Sequence, residues 1–235
     1  MGEDQTTGTV NPATTGILIA AAVGVVGITF GVLADASGLS LWQAVAMSSL
    51  VFTGASQFAV LSVISAGGTI IAAVGTATLL AARNMLYGPV VAQWFDGPLL
   101  RRLGLAHLII DESTGVGAAQ HDERAARIGF LVTGVGVFVA WNLGTVIGVL
   151  SGDLIGDPGR FGLDVAFPAS FLALLVPHLR NRSGRTTAAV GAGIVALTVP
   201  FVPVGVPVLL ASLAIVPGLV VGRRDALGAQ TRQVR

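Results

Sequence analysis

Of 235 residues, 53% are hydrophobic and only 11% are charged, and the mean hydropathy is +0.83. Soluble domains carry about a quarter charged residues, so this chain lacks the polar surface that a water-facing globule of its size requires, and lipid is the solvent it suits. A net charge of +1 excludes the broad basic field of a nucleic-acid-binding protein. The absence of cysteine excludes a disulfide framework, a thiolate metal site and a cysteine nucleophile. His107, His121 and His178 are too scattered for a metal cluster, and no cofactor is indicated. The expected fold is an all-α integral membrane protein, one transmembrane domain over residues 1–235.

The chain starts with a polar, acidic tail over 1–13, unlike the basic start of a cleaved signal peptide. Crossing roughly 30 Å of hydrocarbon takes about 20 residues, and apolar runs of that order follow. Thr14–Leu33 is the first. Leu41–Ala66 is the second, after a turn at Ala36–Ser40. Thr69–Phe95 is the third and contains Arg83. Leu99–Gln120 is ambiguous, because Arg101, Arg102, Asp111 and Glu112 interrupt it. Ile128–Leu150 and Val165–Leu179 are the next spans, and Thr186–Val202 and Gly205–Val221 meet at a Pro200–Pro203 turn.

Arg180, Arg182 and Arg185 precede the last pair of spans, and Arg223 and Arg224 follow it, so the two groups share a side, the cytoplasmic one by the positive-inside rule. Counting back places Arg124 and Arg127 inside as well. Arg101 and Arg102 join them only if Leu99–Gln120 does not cross, or re-enters from the inner face. The sum is about seven transmembrane helices plus a re-entrant or eighth one, the N-terminus outside and a cytoplasmic tail over 223–235. Gly27-Ile-Thr-Phe-Gly31 recurs as Gly144-Thr-Val-Ile-Gly148. Under seven crossings these two segments run in opposite directions, and the halves would form an inverted repeat. The same spacing also suits plain helix-to-helix contact.

Polar residues inside spans mark the candidate site. Gly54, Ser56 and Gln57 lie near the middle of the second span, where a glycine lets the helix open and free backbone groups for a ligand. Arg83 cannot shed its charge and needs a partner at membrane depth: Asp111, Glu112, Asp164 or a substrate carboxylate. Asn84 follows it, and Asn142 is interhelical glue or path lining. Asp111, Glu112 and Asp164 are candidates for carrying a coupling proton; Asp164 also suits an N-cap. No metalloprotease or serine-hydrolase motif supports an intramembrane enzyme.

The stretches Gly38-Leu-Ser40, Met47-Ser48, Val51-Phe-Thr-Gly-Ala-Ser-Gln-Phe58, Arg83 with Leu86-Tyr-Gly88, Asp111-Glu112, Trp141-Asn-Leu-Gly144 and Gly162-Leu-Asp164 resemble the AzlC-type permeases. The resemblance runs from about Gly16 to Arg180. It implies a multi-pass protein of the bacterial inner (plasma) membrane, the large subunit of a two-component exporter of valine, leucine, isoleucine and methionine driven by the proton-motive force. It also implies a small hydrophobic AzlD-like membrane subunit as partner. The family's Asn-x-Arg-His is Ala81-Ala-Arg83-Asn84 here, and Ile110 stands where a threonine commonly precedes the acidic pair. A membrane-depth histidine is thus missing, and any proton coupling has to be done without it. A passive channel for a small solute and an assembly subunit of a membrane complex are the competing readings.

Overall fold

A computed structural model of the chain describes residues 11–155, 172, 175–203 and 205–223. Every regular element in the described residues is helical. Among the described residues, four helical runs are long and apolar enough to cross a membrane: Pro12–Ala36, Ile70–Val91, Glu123–Gly152 and Val206–Arg223. Exposed Val135, Val139, Leu143 and Ile147 repeat at four-residue spacing along one of them, a stripe that only lipid would cover comfortably. The chain forms two compact units, one of residues 1–54 and 81–158, the other of 55–80 and 159–235.

The first unit is built on two helices, α1 (Pro12–Ala36) and α8 (Glu123–Ile155). Asn11 starts α1: its Oδ1 accepts from the Ala13 amide at 2.9 Å, and Pro12 occupies the first turn, where no amide is needed. Their contacts climb together, Pro12 beside Gly129, Gly16 beside Thr133, Gly24 beside Ala140, Gly31 beside Gly148 and Asp35 beside Gly152. The helices are therefore parallel. A methyl group built on Gly31 would stand 2.9 Å from the Gly148 Cα, and one on Gly148 2.8 Å from the Gly31 Cα. The two glycine motifs meet each other backbone to backbone, the tight contact their spacing suits.

This parallel pair corrects the expected topology. The first and fifth segments run the same way, so the glycine motifs do not relate halves of an inverted repeat. The end of α1 that bears the N-terminus lies beside the end of α8 that bears Arg124 and Arg127, whereas opposite faces were expected for them.

Shorter helices fill one side of this pair. In α2 (Leu41–Leu50), Ser40 Oγ accepts from the Gln43 amide at 3.4 Å while Gln43 Oε1 accepts from the Ser40 amide at 2.8 Å, a reciprocal cap. α2 runs from the far end of α8 back toward its midpoint: Ser48 bonds Thr145, Ser49 bonds Asn142, and the Phe52 ring reaches Phe138. Residues 83–95, which include a 3-10 turn Arg83–Leu86 and α5 (Gly88–Val91), run from the middle to the starting end of α8, where Phe95 meets Phe130 and lies under Arg127. α6 (Leu99–His107) climbs back to Phe138, and α7 (Asp111–Ala118) returns, with Ser113 near Gly134 and Gly117 near Ala126.

Leu99–Gln120 is thus a pair of short helices that turns back beside the midpoint of α8 and places Arg101 and Arg102 toward the end where Arg124 and Arg127 lie, the arrangement that the re-entrant option required. The segments Leu41–Ala66 and Thr69–Phe95 were each expected to cross fully. The first starts at the far end of α8 and the second finishes at the near end, so together they make one net traverse.

In the second unit, α3 (Ala55–Ser65) and α4 (Ile70–Ala82, shared between the units) close a small core of Val63, Ala72 and Ala73. The helix Arg182–Thr198 turns back after residues 199–203, as the two prolines suggested, and runs antiparallel to Val206–Arg223. Ser183 Oγ donates to the Gly218 carbonyl at 2.6 Å, and Gly191 faces Ala214. Arg182, Arg185 and Arg223 share one end, as expected. Most of the sixth segment, with Asp164, lies outside the described residues.

Candidate functional site

Two helix interruptions meet near the midpoint of α8. The first is residues 51–54. Phe52 has φ 30° and Gly54 φ 51°, left-handed values that suit glycine and strain phenylalanine. Gly54 therefore opens the second segment as its position suggested, and a methyl group placed on it would touch the Trp141 ring at 3.8 Å. The second is residues 108–110, between α6 and α7. There Ser113 Oγ accepts from the Ile110 amide at 3.2 Å and donates to the Leu108 carbonyl at 2.6 Å, tying the start of α7 to the end of α6. The rings of Phe52, His107 and Phe138 close the meeting point, with centroids 5.0–5.7 Å apart.

The charged groups lie beside it. Arg83 Nη2 is 2.8 Å from Asp111 Oδ2, which makes Asp111 its partner among the described carboxylates; Asp164 lies outside the described residues. Tyr87 Oη donates to the other oxygen, Oδ1, at 2.8 Å. Asn84 Nδ2 donates to the Ile109 carbonyl at 3.2 Å, so the 3-10 turn that carries Arg83 is tied to the second interruption. The arginine and aspartate side chains keep 37% and 31% of their surface accessible. Asp111 engages one of the five guanidinium donors, and no other partner of Arg83 occurs among the described residues. Asp111 and Glu112 form the first turn of α7, where the helix dipole favours carboxylates.

Asn142 has both amide functions engaged: Oδ1 accepts from Ser49 Oγ and Nδ2 donates to the Phe138 carbonyl, each at 2.8 Å. With the buried Ser48–Thr145 bond, also 2.8 Å, it pins α2 to α8. Ser56 and Gln57 are buried in the first turn of α3, directly after the first interruption. Ser56 Oγ has no hydrogen-bond partner among the described residues. His107 was set aside in the sequence because of its spacing, yet its ring stands where the interruptions meet. The one signal that could have found it is its place just before an apolar triplet that the helix does not continue through.

The fold and this centre define a multi-pass α-helical membrane protein in which broken helices bring polar groups together beside the midpoint of α8. A family model described as AzlC protein matches residues 18–155, and the chain belongs to the AzlC family, a family of membrane transporters. An uncharacterized membrane protein of Archaeoglobus fulgidus is 35% identical over 176 residues, 73% of this chain and 75% of that protein. The inner membrane protein YgaZ of Escherichia coli is 28% identical over 212 residues, 86% of this chain and 82% of its own length. No solved structure matches. The helices flanking the Arg83–Asp111 pair all lie within the matched range.

Proposed function

We propose that this chain is the substrate-carrying subunit of an exporter of small apolar amino acids (valine, leucine, isoleucine and methionine), driven by the proton-motive force and working with a small hydrophobic AzlD-like subunit. The observation that carries the reading is the accessible Arg83–Asp111 pair beside two meeting helix interruptions. Broken helices at membrane depth are how secondary transporters hold small charged solutes.

A zwitterion needs a cation for its carboxylate and an apolar surface for its side chain. Arg83 has donors left over, and a substrate carboxylate competing for them displaces Asp111. Asp111, released from Arg83, is the proposed carrier of the coupling proton. Substrate and proton then share one switch. Asn84 holds the turn under Arg83, and Gly54 lets the backbone approach. Glu112 is the neighbouring proton carrier in this scheme. Ser56 and Gln57 follow Gly54 in the chain, in the other unit, and are proposed as substrate contacts on their own burial alone.

The test is release of amino acids from cells loaded with leucine- or valine-containing dipeptides. Expression of the chain with its small partner is expected to speed the appearance of free leucine or valine outside, and a protonophore is expected to stop it. No change with the protein shown to be in the membrane would remove the exporter reading and favour a channel or an assembly subunit.

A further inference from the structure

The acidic pair has an open side. A cavity of about 510 Å³ lies against Asp111 and Glu112, walled by Thr15 and Ile19 of α1, passing Gly115 and reaching His121. It follows one face of α7, which leads from the midpoint of α8 to the end that carries Arg124 and Arg127. At about 1.5 Å per residue the eight residues of α7 cover roughly 12 Å, a large part of half a bilayer. A methyl group on Gly115 would meet nothing within 4 Å. Beyond Asp111, toward the far end of α8, the rings of Phe52, His107 and Phe138 pack against one another.

We infer that this cavity is a water-filled vestibule, open to the membrane face on which Arg124 and Arg127 lie and closed toward the other, through which water and protons reach Asp111 and Glu112. Its volume far exceeds the space one water needs, and it has polar partners for water at both ends: Asp111 and Glu112 at the inner end, His121 and Gln120 at the outer. A lipid chain in the same space would leave two carboxylates against hydrocarbon, which is costly. The titratable groups that face it are Asp111, Glu112 and His121, with Arg83 and Tyr87 behind Asp111; the α1 wall contributes none. The delivery of coupling protons rests on the exporter reading, but the hydration and sidedness of the cavity do not.

The chain has no cysteine, so it is already the background for a thiol-accessibility test. Gly115→Cys probes the cavity, Ala119→Cys probes its wall nearer the mouth, Leu18→Cys reports the outward face of α1, where Leu18 is 66% exposed, and Asp122→Cys marks the face of the loop before α8. The full chain in sealed vesicles of each orientation is treated with a membrane-impermeant cationic methanethiosulfonate. A charged reagent is penalised by several kcal/mol in hydrocarbon, so Gly115→Cys is expected to react at least about tenfold faster than Leu18→Cys, and only from the face that labels Asp122→Cys. Reaction no faster than Leu18→Cys, or equally from both faces, would overturn the vestibule. Should Gly115→Cys not insert, Ala119→Cys decides by the same criterion. Labelling without amino-acid release would keep the vestibule and remove the exporter reading; release without labelling would do the reverse.

Discussion

The α1–α8 seam and the meeting point of the two helix interruptions belong to the same unit and are built by opposite means. Along the seam, glycines remove side chains until backbones touch, and Gly31 and Gly148 leave no space for a methyl group. At the interruptions, backbone regularity is given up, one phenylalanine adopts a left-handed conformation, and charged side chains stay about one-third exposed. The seam gains dispersion contacts and has nothing to rearrange. Under the exporter reading, the interruptions hold groups that exchange partners. Rigidity and exchangeable polarity are thus kept apart, a few helical turns from each other.

The most direct way to break this division is to overpack the seam. Gly148→Val should cost about 3 kcal/mol or more, the upper range for forcing atoms into a filled contact, read as lower thermal stability of the purified protein and loss of the folded form from the membrane. Second comes the pair: Arg83→Ala should cut amino-acid release about tenfold or more, equivalent to about 1.4 kcal/mol, with thermal stability little changed because the pair is partly solvated. Third, Asn142→Ala should lower stability by about 1 kcal/mol through loss of two hydrogen bonds and an unpaired Ser49, with little effect on which amino acid is released. Smallest, Tyr87→Phe removes one bond to Asp111 and should change release by roughly two- to threefold, within the value of a single hydrogen bond. If Arg83→Ala instead unfolds the protein while Gly148→Val spares it, the assignment of rigidity and exchange is reversed.

The sequence showed the solvent, both helices of the seam and a glycine spacing that suits close helix contact, because long apolar runs and four-residue glycine spacing are direct consequences of lipid and close packing; that the two motifs meet each other was not legible. The break at Gly54 was also legible, since a glycine among polar residues inside a span is a mark of opened backbone. The break at residues 108–110 left no such mark: Leu108, Ile109 and Ile110 are apolar, and its cap is a single serine three positions on. Loop charges report which face a loop lies on but not whether the preceding segment reached the other face, so Leu99–Gln120 could be read from its arginines only as one of two options. Arg83 plainly needed a partner, but three carboxylates were available, and choosing Asp111 required the return of α7 to the level of the 3-10 turn. His107 went unnoticed because its neighbours at the interruption come from α2 and α8, far away in the chain.

The glycine seam also limits how such a protein can move. Two helices in backbone contact have no side-chain layer to slide on, and a rocking motion between them would have to separate the Gly31–Gly148 crossing outright. Under the exporter reading, switching of access therefore falls to the half-helices α2, α6 and α7, which have eight to ten residues each and pivot at the two interruptions. A machine of that design works more like a latch against a fixed post than like two halves of a clamshell, and its cycle time would be set by hinges a few residues long.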